Sequence, residues 1–77
     1  MTKTESIVNA IIKIAECNHY MICLDTSLMC MSDLEDAEQE LITRANGGKL
    51  INKREDICFL VLSQAKEHFL LHYKGNP

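Results

Sequence analysis

Residues 52–73, NKREDICFLVLSQAKEHFLLHY, decide the fold, because they read as one long helix with apolar side chains on nearly every side. At roughly 100° per residue, Cys58, Val61, Leu62, Ala65, Phe69 and Tyr73 form one broad apolar face, enough by itself to build a core contact. Phe59 with Leu70, and Leu60 with Leu71, add two further stripes on flanks that should be polar. Only Lys66, Ser63, Glu67 and Gln64 interrupt them. A helix that is apolar most of the way round is normally buried from several directions. The expectation is therefore a central helix, with Phe59, Leu60, Leu70 and Leu71 left over to meet a second copy of the chain.

Chain length sharpens that expectation. A chain of 77 residues buries only about 60% of the surface its unfolded form exposes, so a lone subunit is marginal. Small scaffolds supplement the core with disulfides, a metal or association. Hydrophobic residues make up 47% of the chain and aromatic ones only 5%, with no Trp, so the core must be aliphatic. The four cysteines, Cys17, Cys23, Cys30 and Cys58, allow three disulfide connectivities on paper. Against that, Asn9, Lys13 and Glu16 punctuate the first apolar segment, so it has no signal-peptide core. Nor does any run approach the roughly 20 apolar residues of a membrane span. The expected setting is cytoplasmic, where reduced, buried cysteine behaves as a small hydrophobe.

Upstream of the long helix, Ile7, Val8, Ile11, Ile12, Ile14 and Ala15 share one arc of an amphipathic helix predicted over Thr4 to Asn18. Continuing its wheel drops Asn18 and His19 onto the apolar side, which predicts an end or bend near Cys17 to His19. A second helix is predicted from Ser32 to Asn46, opened by a capping box of Ser32 with Glu35. Leu34, Ala37, Leu41, Ile42 and Ala45 form its apolar stripe, and Asn46-Gly47-Gly48 closes it. A second box, Asn52 with Glu55, would open the third helix, which runs to Tyr73. Between the first two, Tyr20 to Met31 admits a turn at Asp25-Thr26-Ser27 between short strands, or an extra helical turn running into Ser32. Helix is preferred, because a lone hairpin is poorly stable. The whole is expected to be a single all-α domain over residues 1–77, a small bundle of three main helices that forms a homodimer. Its core should hold Ile7, Ile11, Ile14, Leu41, Val61, Leu62, Ala65 and Phe69.

Few residues suggest chemistry. His68 and His72 lie one turn apart, a spacing at which two imidazoles can hold one metal ion, and zinc would need two more ligands. Cys17 to Cys23 and Cys23 to Cys30 are spaced too widely for a zinc knuckle, so zinc stays a distant alternative and no cofactor is expected. Met21, Met29 and Met31 beside Cys23 and Cys30 have the softness copper(I) selects, yet methionine fills irregular core gaps far more often. Nothing has the pattern of an activated nucleophile, a phosphate-cradling loop or a paired-carboxylate site, so the chain is not expected to be an enzyme. Arg44, Lys49, Lys53 and Arg54 surround the start of the third helix, where backbone N–H groups also attract anions. Lys49, Lys53 and Arg54 thus support an alternative reading as a small nucleic-acid-binding dimer. The helix that follows is hydrophobic where a phosphate-neutralising face should be basic.

What remains is an interaction protein. The net charge of −3 is mild but segregated, with Asp33, Glu35, Asp36, Glu38 and Glu40 crowded into one helix. Acids near a helix start complement its macrodipole, which is the ordinary structural explanation. The functional expectation is a regulatory, inhibitor or adaptor protein that dimerises through Phe59, Leu60, Leu70 and Leu71. Its acidic helix, through Glu35, Asp36, Glu38 and Glu40, would contact a basic surface of another protein.

Overall fold

The computed structural model describes residues 2–17, 24–50 and 54–73, with only the backbone given for His72 and Tyr73, and all its regular structure is helical. Helix α1 spans Lys3–Glu16, α2 spans Met31–Asn46 and α3 spans Glu55–Tyr73. The first helix starts earlier than its apolar periodicity suggests, because Thr2 caps it. The Thr2 hydroxyl accepts from the Glu5 N–H at 3.1 Å, and the Glu5 carboxylate accepts from the Thr2 N–H at 3.2 Å. This reciprocal pair satisfies two N–H groups that a helix start otherwise leaves without partners. The other end falls at Glu16 rather than Asn18, since Cys17 is already extended (φ −79°, ψ 139°) and its N–H is shared between the carbonyls of Lys13 and Ile14.

The link into α2 corrects two expectations. Residues 24–30 are not helical. The Asp25 carboxylate accepts from the Ser27 N–H at 3.0 Å, and the Thr26 carbonyl accepts from the Met29 N–H at 3.1 Å. Aspartate competes with helix in this way by bonding the backbone two residues on. The Tyr20 to Cys23 part of that expectation lies outside the described residues. The turn delivers an extended Cys30 (φ −115°, ψ 170°) to the cap position of α2, so the helix begins at Met31 and its third residue is Asp33. Asp33, not Glu35, therefore reaches back to the cap, accepting from the Cys30 N–H at 2.9 Å. Ser32 lies inside the first turn, and its hydroxyl sits 2.9 Å from the Cys30 sulfur.

The close of α2 follows the sequence. Gly48 takes φ 74°, the Lys49 N–H bonds the Arg44 carbonyl at 2.9 Å and the Gly48 N–H bonds that of Ala45 at 3.1 Å. This is the paired-bond ending that a left-handed glycine permits. Beyond it Leu50 turns back into the core. Helix α3 begins at Glu55 rather than Asn52. Arg54 has φ 55°, a left-handed conformation that cannot belong to a right-handed helix, and its carbonyl receives the N–H groups of Ile57 and Cys58. Asn52 itself lies outside the described residues.

One cluster of side chains joins the three helices. Ile7, Val8, Ile11 and Ala15 come from α1, Leu34, Ala37 and Leu41 from α2, and Cys58, Val61, Leu62 and Ala65 from α3, with Leu50 completing it. Ile14 and Phe69, expected in its centre, pack on its margin. Each helix contacts both others, so α3 shares the core rather than occupying its middle.

Burial separates leucines of the same type. Replacing Leu41, fully buried, by alanine should cost about 2–5 kcal/mol in urea denaturation of dilute protein. The same change at Leu71, 77% exposed, should cost less than about 0.5 kcal/mol. Equal losses would show that the subunit buries a different face.

Candidate interaction surfaces

The side of α3 that faces away from α1 and α2 follows from the wheel. With Cys58, Val61, Leu62 and Ala65 turned inward, Leu60 falls nearly opposite them, and Leu70 and Leu71 fall about equally far to either side of that outer direction. Leu60 is 50% exposed and Leu70 49%. Phe59, the remaining residue of the expected dimer contact, is partly buried and packs against the core margin. An isolated exposed leucine is ordinary; here three lie on one helix, Leu70 and Leu71 together near its end and Leu60 about 15 Å away along its axis. Gln64, Glu67 and Ser63 lie exposed between them.

The acidic strip of α2 divides into two parts. Glu35 and Asp36 are exposed. Glu38 is half-buried and accepts from the Lys66 ammonium of α3 at 2.8 Å, tying the two helices together. Glu40 accepts from the Arg44 guanidinium one turn on, at 2.8 Å, and a second Arg44 nitrogen lies 3.3 Å from the Asn9 side-chain oxygen of α1. Asp33 binds Lys3 of α1 at 3.0 Å, and Lys3 also donates to the Leu28 carbonyl. Three of the five acids thus have intramolecular roles. Sequence alone does not single out Asp33 and Glu38, since Lys3 and Lys66 are remote in the chain, whereas the Glu40–Arg44 pair is local.

The carboxylates at the two helix starts are tuned by those roles. Asp33 is held below its ordinary range, first by the Cys30 backbone N–H, then by the Lys3 ammonium and the Cys30 thiol. Glu5 is lowered in the same way by the Thr2 N–H and then its hydroxyl. Burial pushes the Cys58 thiol up, and the charges of Glu16 and Asp56 add to this, which suits a packing residue rather than a nucleophile. Cys17 and Cys30 are exposed thiols. Cys23 is outside the described residues.

The alternative sites are only partly described. Lys49 and Arg54 are exposed, and Lys53 lies outside the described residues. Lys49 borders a cleft of about 460 Å³ in which Arg44 meets Glu5 and Glu40, so acids and bases balance there. His68 is exposed, and the side chain of His72 is outside the described residues. Among the described residues, no three His, Cys, Asp or Glu side chains gather as metal ligands would. An apolar cavity of about 490 Å³, lined by Ala10 and Ile14 of α1 with Leu24 and Met29 of the turn, was not foreseen. Its existence depends on the Asp25–Met29 turn, which helical periodicity does not reveal. Among the described residues no helix is long and apolar enough to cross a membrane. No protein-family model, curated protein or solved structure matches the chain.

A carboxylate with a lowered pKa stabilises the fold above its unfolded value, near 4, and that contribution fades as pH falls through the lower folded value. Thermal unfolding should therefore be insensitive to Asp33 titration between about pH 5 and 7 and weaken below about pH 4. Asp33→Ala should lower the midpoint at neutral pH and flatten its fall in acid. An unchanged acid slope would show that the Asp33 contacts do not contribute.

Proposed function

We propose that this protein is a non-catalytic interaction module, a small regulatory, inhibitor or adaptor protein that self-associates through the outer side of α3 and offers its acidic second helix to a basic surface on another protein. The observation that carries this reading is the exposure of Leu60, Leu70 and Leu71 on a helix whose opposite side already fills the core. Covering such side chains is favourable at about 25 cal/mol per Å² of apolar surface. The acidic helix supplies orientation. Glu35 and Asp36 are its outward carboxylates, and Glu38 and Glu40 extend the negative strip while holding Lys66 and Arg44. Complementary charge of this kind governs encounter rate and selectivity more than affinity.

Sedimentation equilibrium tests both parts. The protein alone should show an average mass that rises with concentration, and Leu60→Ser with Leu71→Ser should hold it at the monomer value without loss of helix. At low salt an arginine-rich peptide should co-sediment with the protein and be released by Glu35→Gln with Asp36→Gln. A concentration-independent monomer would remove the self-association, and unimpaired peptide binding by the charge variant would remove the role of the acidic helix.

A further inference from the structure

The residues that close α2, Asn46 and Gly47, form a pair with a chemistry of its own. The Asn46 side-chain carbon Cγ stands one five-membered ring away from the Gly47 backbone nitrogen. Attack of that nitrogen on Cγ forms a C–N bond, gives up the Gly47 amide proton and expels the side-chain nitrogen as ammonia, leaving a cyclic succinimide. Water then opens the ring at either carbonyl, giving aspartate or, with the main chain rerouted through the side chain, isoaspartate. Water is the only co-reactant, and no partner protein is required. A following glycine makes the attack easiest, because no Cβ crowds the nitrogen and the backbone turns readily.

Of the five asparagines, only Asn46 precedes a glycine. Asn9 lies inside α1 ahead of Ala10, and its side-chain oxygen is 3.3 Å from an Arg44 nitrogen. Asn76 precedes Pro77, whose nitrogen has no proton to lose. Asn18 and Asn52 are followed by His19 and Lys53, whose side chains obstruct the attack. Asn46 is exposed, and its side-chain amide bonds to nothing among the described residues.

The fold opposes the reaction through the backbone. The Gly47 N–H donates to the Thr43 carbonyl at 3.0 Å, so the nitrogen keeps its proton and is directed at the preceding turn rather than at the Asn46 side chain. That turn is held in place by the left-handed Gly48 and by the bonds of the Gly48 and Lys49 N–H groups to the Ala45 and Arg44 carbonyls. We propose that Asn46 is a site of spontaneous deamidation whose rate is set by opening of the last turn of α2. Aspartate at this position sets a carboxylate at the negative end of the α2 macrodipole. Isoaspartate adds an atom to the backbone and dislodges the ending that returns Leu50, 1% exposed, to the core. Either product favours the open turn from which it arose.

Peptide mapping of the full-length protein, aged at neutral pH in buffer and in urea, follows the exchange of amide for acid at each asparagine. In urea Asn46 should react first, and in buffer it should react at least about tenfold more slowly, since the turn must open before the ring can close. Equal rates in the two solvents would overturn the gating. Earlier reaction at Asn18 or Asn52 in urea would overturn the assignment of the site. Two variants bear on the steps separately. Gly48→Ala forces alanine into φ 74° and should speed the native reaction several-fold. Gly47→Ala, whose Cβ would rest 3.4 Å from the Thr43 carbonyl, should slow the reaction in both solvents. Hydrogen exchange of the unaltered protein needs no variant. Protection of the Gly47 N–H should match the slowing of deamidation to within about threefold, because one opening releases both. A protected N–H beside an unslowed Asn46 would contradict the proposal. Asn46→Asp should lower the Tm by a few degrees and the isolated isoaspartate form by more, and an unchanged Tm for both would overturn the loosening of the turn.

Discussion

The shared burial of one side of α3 against α1 and α2 is the constraint on which the rest of the structure depends. Cys58, Val61, Leu62 and Ala65 can be inward only if Leu60 and Leu71 are outward, because a helix of 3.6 residues per turn fixes the angle between them. Two neighbouring helices cover one broad side of a third. With three helices in all, the far side of α3 has no further element of the described chain to meet. The surplus leucines are thus a consequence of geometry and helix count rather than of loose packing.

Polar contacts fix how the helices are set around that core. Lys66 joins α3 to Glu38 of α2, Lys3 joins α1 to Asp33 of α2, and Arg44 reaches Asn9 from the far end of α2. Each pair is partly exposed, so its net contribution is small, as is usual for ion pairs near water. Their value lies in register. Two of them join α1, at its start and its middle, to opposite ends of α2, and the third joins α2 to α3, which limits sliding of one helix along another.

Much of this architecture is legible in the sequence. The apolar arcs of α1 and α2 and the Gly47-Gly48 ending are strong local signals, since each rests on periodicity or on a backbone conformation that one residue type adopts readily. The starts of the helices were less legible. Thr2 with Glu5 has the spacing of a capping box but stands ahead of the first apolar residue, and the competing box at Ser32 looks as good on paper as the one that forms at Cys30. The choice at α2 was decided by the turn at Asp25 and Thr26, a local interaction that carries no periodicity. Arg54 in a left-handed conformation could not be foreseen from residue type. Of the candidate surface, the outward leucines were legible from the wheel. The engagement of Asp33 and Glu38 was not, because it depends on lysines that only tertiary packing brings near.

The central claim is that one subunit leaves the leucines of α3 in water and that only association covers them. The most direct measurement is the relaxation of leucine methyl signals by a soluble paramagnetic agent, followed as the protein is concentrated. The account predicts strong relaxation of Leu60 and Leu71 in dilute protein, comparable to exposed Leu28, with Leu34, Leu41 and Leu62 shielded throughout and Leu60 and Leu71 becoming shielded as concentration rises. Shielding of Leu60 and Leu71 at every dilution would contradict it, since a single chain would then be covering them.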